Sequence, residues 1–134
     1  MAETGFGSDP GIVTKFSPRS VLDTTTMLAD LVLSRGLKLF AVVHLDAEAR
    51  SAGLDLPETV LVIFGDPIKE TPVIADSRFA ALDVPRRVMI WAQGGETRIS
   101  YYAPTAIATR HGLSTGQARR LATVDALTDA VVTP

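Results

Sequence analysis

The sequence predicts an α+β domain: strand, helix, four strands, helix, with the strands in one antiparallel five-stranded sheet and helices packed on one of its faces. Three stretches carry this reading. Thr59 to Phe64 is an uncharged run rich in β-branched residues, bounded by Pro57 and by Gly65-Asp66-Pro67, and is too short for an ordinary helix. Arg86 to Ala92 and Thr97 to Tyr102 are two strands joined by Gln93-Gly94-Gly95-Glu96, whose glycines suit a tight hairpin. Between Pro18 and Arg35 the apolar positions Val21, Thr24, Leu28, Leu31 and Val32 recur at helical spacing, with Arg19, Asp23, Asp30 and Arg35 facing out.

The remaining elements follow in chain order. Met1 to Gly11 is rich in glycine and small polar residues and reads as a flexible tail, leaving residues 12–134 as a single α+β domain. Ile12 to Phe16 is a short strand, and Ser17-Pro18 supplies a cap and first-turn proline for the first helix, which Gly36 ends. Leu37 to Leu45 is a second strand, with Leu37, Leu39, Ala41 and Val43 on one face and Lys38, Phe40, Val42 and His44 on the other. Asp46 caps a short helix that runs to Ala52 and stops at Gly53. After the central strand, Thr71-Pro72 predicts a helix start, with the helix running through Ile74 and restarting at Asp76 to reach Leu82. Pro104 opens a helix ending at Gly112, and Ser114 with Gln117 makes a capping box for a C-terminal helix over 114–131.

Composition narrows the function classes. The 134 residues include no cysteine, so disulfide frameworks, thiolate nucleophiles and cysteine-ligated metals are excluded, and a cytoplasmic location is the default. The N-terminus has no signal-peptide pattern, no apolar run approaches a membrane span, and a net charge of −2 offers no basic field for nucleic acid. Neither membrane nor nucleic acid is expected as a partner, and no cofactor is expected. Arg86-Arg87 and Arg119-Arg120 are solvated edges or low-affinity anion contacts on this reading. Gly94-Gly95 lacks the context of a phosphate loop, and no serine stands in a Gly-x-Ser-x-Gly setting.

No combination of residues spells out a chemistry. His44 and Asp46 could form half of a metal site, but the only other histidine, His111, reads as complementing a helix dipole, so no metal is expected. Asp66, between glycine and proline, reads first as a turn residue, and Asp83 reads as a turn residue or helix-end partner. Tyr101 and Trp91 are expected to point inward alongside Ile99 and Met89, as core or interface aromatics. If a pocket exists, His44, Asp66 and Tyr101 at or near strand ends are its expected polar fringe. The chain is thus expected to be a module binding a small ligand or protein partner, with an enzyme using Asp66, His44 and Tyr101 as the alternative.

A homodimer is expected from the central strand, both of whose faces, Thr59, Leu61, Ile63 and Val60, Val62, Phe64, are apolar. With the helices on the first face, the second would expose Val60, Val62 and Phe64 together with Phe40, Val42 and either Met89 with Trp91 or Val88 with Ile90. A second copy is the simplest cover; a C-terminal helix folded back over the sheet is the rival.

Residues 37–112 also resemble a known family, domain of unknown function 302. The resemblance rests on Phe64-Gly65-Asp66-Pro67 after an apolar strand, Asp83-Val84-Pro85 before the next, Tyr101 with Pro104 in the last, and the stretches Ala47 to Leu56 and Arg110-His111-Gly112-Leu113. It implies a TATA-binding-protein-like α+β fold, usually homodimeric, with no established activity. The chain departs from the pattern where many members have Ile-Asp-His, here Val43-His44-Leu45, and at Tyr102-Ala103, where many have an acid.

Overall fold

The computed structural model describes residues 11–134. The expected tail at 1–11 lies outside them except for Gly11, whose carbonyl accepts from the Ala103 amide. Five strands, β1 (Ile12–Ser17), β2 (Lys38–His44), β3 (Thr59–Gly65), β4 (Arg86–Gln93) and β5 (Glu96–Tyr102), form one antiparallel sheet in the order β1-β5-β4-β3-β2. The α+β architecture is the one expected. Gly94 and Gly95 turn the β4–β5 hairpin at φ of 60° and 81°, a region closed to most side chains.

The core lies on one face. Helix α1 (Val21–Ser34) buries Val21, Leu28 and Val32, and the last helix, α6 (Thr123–Val132), buries Val124, Leu127 and Val131 against Val60, Val62, Phe64, Val88, Ile90, Ile99 and Tyr101. The expected assignment of faces is therefore reversed. Val60, Val62 and Phe64 are the covered set, at 3%, 0% and 1% exposed, whereas Leu61, Ile63, Met89 and Trp91 belong to neither hydrophobic core and stay half-exposed. Trp91 and Met89 thus point away from Ile99 and Tyr101. The rival cover named for Val60, Val62 and Phe64, a C-terminal helix folded back over the sheet, is present: α6 lies beside α1 on that face.

Three local expectations also change. The first helix is capped by Ser20, whose hydroxyl accepts from the Asp23 amide, because Ser17 is spent in β1. A bulge between Leu39 and Ala41 breaks the alternation of β2, so that Leu39 and Val42 both pack on the core and Phe40 is 48% exposed. Helix α2 (Leu45–Ser51) has His44 as its cap residue, without a side-chain bond; the Asp46 carboxylate instead accepts from the Thr59 amide at 3.2 Å and pairs with Arg50.

Helix α3 (Pro67–Asp76) begins at Pro67, five residues before the expected first-turn proline, Pro72, which it carries inside it. Asp66-Pro67 satisfies the cap-then-proline rule as well as Thr71-Pro72 does, and comes first. A 3₁₀ turn (Arg78–Leu82) and helices α4 (Pro104–His111) and α5 (Thr115–Arg120) complete a second, smaller core of Val73, Ala80, Val84, Ile107 and Leu121. The Ser114–Gln117 capping box forms as expected, but at α5, a short helix preceding α6.

Candidate functional site: an open sheet face and its polar end

At the end of β3 the chain passes through Gly65-Asp66-Pro67. Asp66 caps α3 by accepting from the amides of Ile68 and Lys69 at 3.1 and 3.4 Å. Gly65 leaves room for the Glu70 side chain: a Cβ there would overlap Oε1 of Glu70 and stand 3.4 Å from Cβ of Pro85. The Glu70 carboxylate, in a residue only 5% exposed, is folded back into the space left by the missing side chain. Burial pushes its pKa up to about 7, against the hydrogen bond from the Asp66 amide and the charge of Arg86. Gly65→Ala is expected to drive this carboxylate out and cost about 1–3 kcal/mol, as overpacking does; urea unfolding of the single variant and of Gly65→Ala/Glu70→Ala measures it, the double variant costing less than the sum of the two.

Arg86 is the second buried charge, 2% exposed on the core face of β4. Its guanidinium donates to the Leu121 carbonyl at 2.8 Å and to the Tyr102 carbonyl, tying β4 to the end of β5 and to the joint between α5 and α6. Burial lowers its pKa, with Glu70 the strongest of the anions that oppose the shift. On the other side of the turn into β4, Asp83 accepts two hydrogen bonds from Arg110, at 2.9 and 3.0 Å, and meets His111 Nε2 at 2.6 Å. Burial would raise its pKa, but the bonds from His111 and Arg110 outweigh that and hold it below the ordinary carboxylate value. Asp83 is thus a helix-end partner, pinning α4, and His111 is its contact.

His44, Asp66 and Tyr101 do not converge. His44 is exposed and pairs with Val60, while Asp66 follows Gly65 at the far end of β3, about 20 Å away at strand spacing. Tyr101 faces the helices at 4% exposed, its hydroxyl donating to Asp125 at 2.6 Å; Thr128 stands 3.4 Å from it and the Lys15 ammonium 5.3 Å from the ring. The buried pair the sequence reading missed, Glu70 and Arg86, had one visible signal: Arg86 is in phase with Val88 and Ile90, the inward positions of its strand.

The open face is built of rows across the sheet. One row runs Leu61, Met89, Ser100, Thr14; the next, toward the hairpin end, runs Thr59, Trp91, Arg98, Phe16. Arg98 lies between the Phe16 and Trp91 rings, 5.1 and 5.5 Å from their centroids, with Glu96 at 3.0 Å. The Ser100 hydroxyl accepts from the Trp91 indole and bonds Thr14, both at 2.9 Å. Toward the opposite end, Ile12, Leu61, Arg87, Met89, Ser100 and Tyr102 surround a hollow of about 420 Å³. Its lining contains one cation and no carboxylate.

A five-stranded antiparallel sheet covered by α1 and α6 on one face places the chain among small α+β domains. The chain belongs to the family described as Domain of unknown function DUF302, which it matches over residues 13–131. A solved structure of an uncharacterized conserved DUF302 protein from Bacillus stearothermophilus shares the fold at a TM-score of 0.77, with 15% identity over 91% of this chain and 95% of that one. The chain is also 39% identical over 106 residues, 78% of its length, to the Fluoride-specific ion channel FluC 1 of Brucella suis biovar 1 (strain 1330) and to that of Brucella abortus biovar 1 (strain 9-941). It spans 42% and 39% of those two proteins. Among the described residues, no helix is long and apolar enough to cross a membrane.

Proposed function

We propose that the chain is a non-enzymatic binding module that works as a homodimer, two copies meeting through their open sheet faces. The observation that supports this is the open face itself, where Leu61, Ile63, Met89 and Trp91 are half-exposed and Ile12 and Phe16 are 37% and 58% exposed. Five strands span roughly 24 by 20 Å, a face of about 480 Å² that includes Thr14, Thr59, Arg87, Arg98 and Ser100, so its apolar part lies within the range of about 300–600 Å² in which the largest patches on monomers are often functional. The apolar members of these rows need no charge matching to pack on themselves, the Ser100 hydroxyl is already bonded to Thr14 and Trp91, and the Arg98 charge is met by Glu96 at 3.0 Å.

Wild-type protein is expected to scatter light as a dimer at micromolar concentration, and Leu61→Lys as a monomer with an unchanged circular-dichroism spectrum. A wild-type mass of one chain at every concentration overturns the dimer. Val62→Glu does not test it, because Val62 lies in the core and the substitution unfolds the protein.

For the two Brucella channel proteins, we propose that the matching two-fifths forms an accessory domain of this fold beside the part that conducts. The lack of a membrane-crossing helix among the residues described here supports that division. A fragment of the Brucella suis protein restricted to the matching segment is expected to be recovered in the soluble fraction; recovery only with membranes overturns it.

A further inference from the structure

We propose that the hollow on the open face binds a small amphipathic carboxylate, Arg87 taking the carboxylate and Leu61, Met89 and Ile12 the apolar part. The proposal rests on the reading of the chain as a binding module; the hollow lies on the face through which two copies are proposed to meet, so in the dimer the ligand sits between the copies.

The argument starts from Arg87. It stands on the open face of β4, its side chain 51% exposed, and its one ion pair among the described residues is with Asp83 at 3.8 Å, too long for a hydrogen bond. Asp83 cannot come closer cheaply, because its two oxygens are engaged by Arg110 at 2.9 and 3.0 Å and by His111 at 2.6 Å. The guanidinium therefore keeps its donors available beside a hollow that holds no carboxylate of its own. A planar fork of donors matches a carboxylate in two parallel bonds.

The rest of the lining fixes the other half of the ligand. Leu61 and Met89 sit opposite each other on neighbouring strands and form the floor; Ile12 and Tyr102, paired on β1 and β5, lie toward the same end of the sheet as Arg87. The Ser100 hydroxyl, at the edge of the floor, is already bonded to Thr14 and Trp91 and so adds no demand of its own. A volume of about 420 Å³ is in the range of metabolite-sized sites. One cation, held only by a 3.8 Å ion pair, at the rim of an apolar floor fits a carboxylic acid with a medium alkyl chain or an aromatic ring, and not a bare anion, which would leave the floor unfilled.

The test is a thermal-shift titration of the full chain with octanoate and phenylacetate, alongside octylammonium, acetate and fluoride at the same concentrations. Saturable stabilisation by the first two, absent with the other three, is expected. In Arg87→Gln the dissociation constant for octanoate should rise about tenfold or more, the loss of a charge-assisted pair, and Arg87→Lys should recover part of it. No saturable shift with either acid, an equal shift with octylammonium or fluoride, or an unchanged constant in Arg87→Gln overturns the proposal. Light scattering on the same samples separates this from the dimer: binding by a protein of single-chain mass sinks only the dimer, and a dimer indifferent to both acids sinks only the ligand.

Discussion

Arg86→Ala is expected to destabilise the protein by roughly 3–5 kcal/mol, the range for removing one member of a buried charged network. Truncation leaves the carbonyls of Leu121 and Tyr102 without the guanidinium that now donates to them, in a site only 2% exposed. It also removes the cation that opposes the upward shift of Glu70. The loss should therefore be larger at pH 8, where Glu70 must ionise without a counter-charge, than at pH 6. Urea unfolding at the two pH values measures both effects. Equal losses at both would mean that Arg86 acts only through its hydrogen bonds, and Arg86→Ala/Glu70→Gln should recover part of the pH 8 loss and little of the pH 6 loss.

Glu70→Gln is expected to raise stability above neutrality and to leave it nearly unchanged near pH 5. The carboxyl has a folded-state pKa of about 7 against an ordinary value of 4.5. Between those values the folded protein holds a proton that the unfolded chain has released, so stability falls as pH rises through the window and levels off above it. The full difference corresponds to about 3 kcal/mol, an upper bound because a glutamine loses some of the Asp66 contact. Asp83, whose pKa is lowered, contributes in the opposite sense, losing stability as pH falls through its folded value, and that occurs below the Glu70 window. Thermal unfolding of wild type and variant from pH 5 to 8 should show the wild-type midpoint falling and the variant nearly flat; parallel curves would remove Glu70 from the account.

The sequence was most informative where structure is decided locally. The Thr59 to Phe64 run, the Gly94-Gly95 turn, the Ser114–Gln117 box and the stripe of α1 all depend on neighbours within a few residues, and each is present. The assignment of faces is of another kind. Both alternate sets of β3 are apolar, and β4 carries an arginine in each phase, Arg86 inward and Arg87 outward, so no local pattern says which set the helices cover. The site was illegible for a related reason. Glu70 is buried because Gly65 lets its carboxylate approach, and Arg86 because α5 and α6 bring a carbonyl to it, contacts that sequence spacing does not carry. His44, Asp66 and Tyr101 were each placed near a strand end, but which end, and which face, depends on strand order and register.

The strand order has a kinetic consequence. Strands β2 to β5 form a run in which each pairs with the next in sequence, whereas β1 pairs only with β5, and Thr14 meets Ser100 across 86 residues. Closing that loop loses chain entropy that no neighbouring pairing offsets in advance. The β1 edge, with Lys15 reaching Thr128 and Asp129 on α6, is then expected to assemble later and to open earlier than the central strands. Amide hydrogens of β1 should exchange with solvent well before those of β3, making this edge the one through which the folded chain most often lets water in.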